Sequence, residues 1–289
     1  MVRVYRVKTN LRSLYPMNAL TDLPNPANTA DADAPPLDFL PLQNPANMRP
    51  FVEEVNGLLN LRFDMATVQS SLRLADPNAL ELEYTRTMMR CLLFCPVPQS
   101  ILMIGMGGGS LAKYCHKTLP SSDISVVEMN PHVIALRDRF VVPPESARFR
   151  VLQADGVDHV QALSKAGVHQ DVILLDAFHF DGAQDSISSR GFFSACRSIL
   201  SARGVLVVNL DGDPAQCRPV LTRLGEAFDG AVWSVLVDAT SNRVAFCASA
   251  DHLMTTMRQA DARLAGLAPV HQETLTRRSS NRLTFSPLF

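Results

Sequence analysis

Four carboxylates, Glu128, Asp155, Asp176 and Asp211, each stand at the end of a segment that reads as a β-strand. Upstream of them Ile101-Leu-Met-Ile104 runs into Gly105-Met-Gly107-Gly-Gly109, a turn whose backbone can bend sharply and come close to a ligand. Glu128 follows roughly 20 residues after the turn, and its two acceptor oxygens suit the paired hydroxyls of a ribose. Asp155 suits the amino group of a base, with Gly156 leaving the base room to approach. A strand, a glycine turn, a helix and a second strand ending in an acid make a nucleoside pocket. Leu111 and Ala112 stand where a dinucleotide fingerprint carries its last glycine, which argues against a pyridine dinucleotide.

The elements that must position these groups follow from punctuation and periodicity. Residues 1–50 read as a basic N-terminal arm and a linker, because seven prolines between 24 and 50 exclude a regular helix or a central strand. Residues 51–95 read as a small β module: Asn56-Gly57 between apolar runs predicts a hairpin, Val68–Leu74 a further strand, and Asp76-Pro77 the start of a helix that stops at Pro96. Residues 96–268 alternate strand and helix. Strands are expected near 100–105, 124–129, 149–152, 171–176, 204–209 and 231–237, with a seventh over 243–248. Continuous apolar runs such as Val205-Leu-Val-Val208 suit parallel strands covered on both faces. The expected fold is a doubly wound, Rossmann-like α/β sheet of seven strands with a small N-terminal β-hairpin module, and residues 269–289 read as a tail.

Composition narrows the function. With 27 basic and 28 acidic residues the net charge is -1, so there is no electrostatic case for nucleic acid or for an anionic membrane as partner. No apolar run reaches the ~18 to 20 residues of a membrane span. The N-terminal residues lack the continuous core of a secretory signal, so a cytoplasmic protein is expected. The six cysteines form no C-x-x-C pair; they read as reduced, mostly buried thiols, and no metal site is expected.

The glycine turn, Val127-Glu128-Met-Asn130-Pro131, Asp155-Gly156, Asp171-Val-Ile-Leu-Leu-Asp176, Ile187-Ser-Ser-Arg-Gly-Phe-Phe193 and Gly204-Val-Leu-Val-Val-Asn209 together resemble the spermidine synthase (polyamine aminopropyltransferase) family over about residues 51–250. Phe63-Asp64 and Val68-Gln69-Ser70 resemble that family's N-terminal β module. The resemblance implies a SAM-methyltransferase type of fold and decarboxylated S-adenosylmethionine as cofactor. It places Glu128 on the ribose, Asp155 at the adenine, Gln69 at the cofactor and Asp176 at the reacting amine. An amine attacking a carbon next to a cationic sulfur must arrive unprotonated, and a carboxylate at Asp176 can orient it and take its proton.

Three positions depart from the family pattern. Asp176-Ala-Phe-His179 replaces Asp-Ser-Ser-Asp, Gly108 replaces the acid of the glycine loop, and Tyr84-Thr-Arg86 replaces Tyr-x-Glu. His179 is a candidate base near neutral pH, or a loop histidine packed between two phenylalanines. Asp181 or Asp185 can replace the lost acid from the same loop, and Tyr84 and Asp211 are acceptor-side candidates. Asp213 serves that side or caps the helix at Pro214. The leading reading is aminopropyl transfer to an amine or other small nucleophile, in a homodimer. The alternatives are a methyltransferase using S-adenosylmethionine itself, which a neutral Gly108 favours because the cofactor carboxylate then meets no acid, and a non-catalytic nucleoside-binding protein.

Overall fold

The computed structural model describes residues 3–5, 47–65, 67–177, 186–237, 242–277 and 286–287, the first and last of these as backbone. The main sheet contains β5 (Ser100–Ile104), β6 (Asp123–Glu128), β7 (Phe149–Gln153), β8 (Gln170–Leu175), β9 (Leu200–Asp211), β10 (Val232–Leu236) and β11 (Asn242–Cys247). The two-residue β12 (Ser286–Pro287) lies at its edge, and the order is β12-β10-β11-β9-β8-β5-β6-β7. From β5 to β9 the pairing is parallel, while β11 runs antiparallel between β9 and β10.

Alternate residues of the strands feed two cores, because a buried parallel strand must hide both of its faces. Leu102 and Ile104 face one side, with Phe193 of α6 (Arg190–Ser198) and Leu224 of α7 (Pro214–Ala227). Ile101 and Met103 face the other, with Tyr114 of α3 (Ser110–Thr118) and Leu253 of α8 (Ala250–Arg258). Val205–Val208 have no exposure at all. Burial of this completeness is worth about 1.5–3 kcal/mol per side chain and holds the strand ends in place.

A small antiparallel sheet of β1 (Arg3–Tyr5), β2 (Phe51–Val55), β3 (Leu58–Arg62) and β4 (Ser70–Arg73) precedes the main one. Its hairpin turns at Asn56-Gly57, both at positive φ, as the dipeptide predicts. Val52, Leu59, Leu61 and Leu72 join the same core as Ile101 and Met103, so the module is packed onto the α/β layer.

Two expected elements differ. The helix predicted from Pro77 starts only at Glu83 and is broken into α1 (Glu83–Met88) and α2 (Cys91–Phe94). Arg86 explains the late start, since its guanidinium takes the carbonyls of Leu80 and Glu81 that an earlier turn would need. After β11 the chain forms α8 and then α9 (Ala260–Ala265), and the segment from 269 that reads as a tail holds α10 (Pro269–Thr276). The buried Tyr114 hydroxyl and His271 Nδ1, 2.8 Å apart, dock α10 on α3.

Candidate active site

The chain leaves β5 for β6 and β7 on one side, then crosses to β8 on the other, so the strand order reverses between β5 and β8. Ligands of open α/β sheets bind beyond the carboxyl ends of the strands at such a reversal. Gly105 ends β5 there, at φ 91°, with its N–H on the Val127 carbonyl. A Cβ on Gly105 would run into the backbone carbonyl oxygen of Asp176. Asp176 N–H in turn donates to the Ile104 carbonyl at 2.9 Å. The glycine turn and the Asp176 backbone are thus packed as one unit.

Glu128 ends β6 and is only 9% exposed. One oxygen accepts the Met106 N–H at 2.9 Å, the other the Asn130 N–H at 2.8 Å. These charge-assisted bonds lock the acid against the turn and leave further lone pairs on both oxygens. Asn130 caps α4 (Pro131–Ile134) through its carbonyl oxygen and gives its amide to the Met48 carbonyl, tying in the segment before β2.

Asp155 is the N-cap of α5 (Gly156–Ala166), its Oδ1 accepting from Val157 and Asp158 N–H. Capping uses one carboxylate oxygen and leaves Oδ2. Gly156 has a packing reason that the sequence does not reveal. A Cβ there would lie 2.5 Å from the Ile104 side chain, so glycine lets α5 close onto β5.

Asp176 collects groups from three elements. Tyr84 of α1 donates to Oδ2 at 3.1 Å, and Asn209 of β9 donates through Nδ2 to Oδ1 at 2.9 Å. Asn242 of β11 donates to the Asn209 Oδ1 at 3.1 Å. Burial first, and the Asp176 charge second, push the Tyr84 hydroxyl well above its ordinary pKa, so it stays a donor. Asp211 lies near enough to add to that shift. Gln69 joins the cluster through its backbone carbonyl, 3.5 Å from the Tyr84 hydroxyl.

The remaining candidates separate. Asp213 caps α7 in a capping box with Gln216. His179, Asp181 and Asp185 lie outside the described residues. Arg86 bonds the Leu80 and Glu81 carbonyls and lines a recess with Tyr114, Lys117 and Arg277. Asn242 is the residue that sequence reasoning missed: its only local signal is a polar residue at the start of an apolar strand.

The third glycine of interest, Gly108, is closed in. A Cβ there would lie 2.7 Å from Ser70 Oγ and 2.8 Å from the Phe140 ring. Beneath it the buried Lys113 donates to the carbonyls of Gly108 and Phe140 at 3.1 and 2.8 Å. Burial lowers its pKa to about 8. Among the described residues no cluster of histidine, cysteine and acids could hold a metal ion, and no helix is long and apolar enough to cross a membrane. All six cysteines are free thiols.

The glycine turn and acid-lined reversal point define a doubly wound α/β fold of the SAM-methyltransferase type, with a small N-terminal sheet. A polyamine aminopropyltransferase of Chromobacterium violaceum is 37% identical over 200 residues, 68% of this chain and 74% of that protein. The chain belongs to the polyamine aminopropyltransferase family. An eEF1A lysine and N-terminal methyltransferase of Xenopus laevis is 29% identical over 194 residues, 62% of this chain and 28% of that protein. The crystal structure of spermidine synthase from Thermotoga maritima superposes with a TM-score of 0.58 at 16% identity, covering 78% of this chain and 83% of that one, a likeness of fold. No family model matches.

Proposed function

We propose that this chain transfers an aminopropyl group from decarboxylated S-adenosylmethionine to an amine, the activity its curated relatives are named for. The observation that carries the reading is the Asp176 carboxylate at the strand-order reversal, held through both oxygens by Tyr84 and Asn209 and packed against Gly105. A sulfonium nucleoside supplies an electrophilic carbon. The site fits it, because Glu128 has lone pairs to spare for ribose hydroxyls and Asp155 has its second oxygen for a base amine. Asp176 orients the acceptor nitrogen and takes its proton, with Tyr84 and Asn209 keeping the carboxylate from rotating away. His179, Asp181, Asp211 and the Gln69 side chain are assigned to the acceptor and cofactor tail. The reading includes a cytoplasmic homodimer.

Methyl transfer from S-adenosylmethionine is the second reading, and Gly108 favours it. With no acid in the loop and no room for one under Ser70 and Phe140, the cofactor's amine loses a carboxylate partner, and a cofactor carboxylate meets no repulsion.

Calorimetric titration with the two cofactor forms side by side tests both. Preference for the decarboxylated form by ~tenfold, about 1.4 kcal/mol, with turnover on polyamine acceptors, supports the first reading. The opposite preference supports the second, and binding of neither removes the pocket on which both depend.

A further inference from the structure

Two buried amides sit close to apolar residues of β9 and β11. Asn209 is 6% exposed between Val208 and Leu210, and Asn242 is 7% exposed two residues before Val244. A buried amide left without partners costs about 1–3 kcal/mol, so each asparagine needs a reason. We propose that Asn242 is a positioning residue: it fixes the amide of Asn209, which holds the Asp176 carboxylate in the orientation that faces an incoming amine.

The polarity of the chain carries the argument. An ionised carboxylate only accepts, so Asn209 must turn its NH2 toward Asp176, which leaves its carbonyl oxygen facing β11. Asn242 meets that oxygen with an NH2 of its own. The Asp176 Oδ1 and the Asn209 Oδ1 are each met by an NH2, and turning either amide over would set two oxygens face to face. Without Asn242 the Asn209 carbonyl oxygen loses the donor that anchors the amide from the β11 side, and the amide is held less firmly against the Asp176 Oδ1. Tyr84 holds only the other oxygen.

The sheet makes this possible. Asp176 directly follows Leu175, which pairs with Val208, so Asp176 and Asn209 lie side by side on parallel strands. β11 runs the other way, so its first residue, rather than its last, reaches the ligand end of the sheet. Asn242 pairs with Asp211 and Val244 with Asn209, which makes Asn242 and Asn209 diagonal neighbours on one face. Of the titratable groups on the described elements, Tyr84 of α1 bonds to Asp176, and Asp211 of β9 lies near enough to act on Tyr84.

The role rests on the proposed acceptor chemistry, but its test does not require turnover. Carbon-13 NMR follows the Asp176 carboxyl, assigned by its loss in Asp176→Asn, in ligand-free protein. In Asn242→Leu, which keeps the branched outline but removes the donor, the titration should move up by about one pH unit, a tenfold change in proton affinity. Turnover should fall ten- to a hundredfold while the nucleoside Kd stays within twofold. Asn209→Ala combined with Asn242→Leu should be no worse than Asn209→Ala alone. If Asn242→Leu does not fold, Asn242→Thr, whose hydroxyl is a shorter donor, should show a smaller shift in the same direction. An unmoved titration in a folded variant, or losses that multiply in the double variant, overturns the role. A moved titration in a protein that binds neither cofactor form would leave the relay standing and remove the proposed function instead.

Discussion

Tyr84 and Asp176, 92 positions apart, share a hydrogen bond of 3.1 Å that joins the helix after the small sheet to the end of β8. The pair places a hydroxyl whose pKa burial and the Asp176 charge push upward beside the carboxylate assigned to the reacting amine. Tyr84→Phe keeps the ring and loses the donor. Turnover is expected to fall about ten- to a hundredfold, with the melting temperature and the nucleoside Kd nearly unchanged; steady-state kinetics and calorimetry check this.

Glu128→Gln should weaken nucleoside binding and the fold together. Both carboxylate oxygens accept backbone N–H groups, whereas a glutamine must point its own NH2 at one of them. The clash and the lost charge should cost about 2 kcal/mol of stability. Calorimetry should show at least a tenfold weaker Kd, and denaturant melts a lower midpoint.

Gly108→Asp tests the closed loop. Its Cβ would press on Ser70 Oγ and the Phe140 ring, which should destabilise by about 1–3 kcal/mol. Adding Phe140→Ala opens space for the acid. The pair of substitutions should then favour decarboxylated S-adenosylmethionine over the parent cofactor, measured by titration of each.

Gly105→Ala should be far costlier than Gly167→Ala. Both sites have positive φ, but nothing lies within 4 Å of a Cβ at Gly167, whereas at Gly105 the Asp176 carbonyl blocks it. The Gly167 change should cost about 1–2 kcal/mol from backbone conformation. The Gly105 change adds a clash with main chain, and failure to recover folded protein, or a much lower urea midpoint, is the expected result.

Lys113 gives a pH signature. Its folded pKa of about 8 lies below the ordinary lysine value of 10.5, so between these two the unfolded chain binds more protons and raising the pH favours the folded state. The buried thiols act oppositely, since burial raises their pKa values, and they are common to any Lys113 variant. The stability of the parent minus that of Lys113→Met should therefore rise from pH 8 to 10.5. Urea melts across that range check it, and a flat difference would contradict the assigned burial of an ammonium.

The glycine turn, the strand-end acids and the Asn56-Gly57 hairpin were legible in the chain, because each depends on residues within one turn or one strand of itself. Period, punctuation and a positive φ at glycine are local properties. The helix start at Glu83 was not, since it depends on where the Arg86 guanidinium finds its carbonyls. Gly156 was legible as a glycine, yet its reason, contact with Ile104, belongs to the packing of α5 on β5.

The sequence by itself determined the α/β order and the placement of Glu128 and Asp176 at the carboxyl ends of their strands, because strand periodicity alone puts them there. Only the tertiary structure decided what surrounds Asp176. Tyr84 arrives from the small module, Asn209 from the neighbouring strand and Asn242 from the strand that reverses direction, and no local pattern encodes which of many polar residues the folded sheet brings within hydrogen-bond reach of one another.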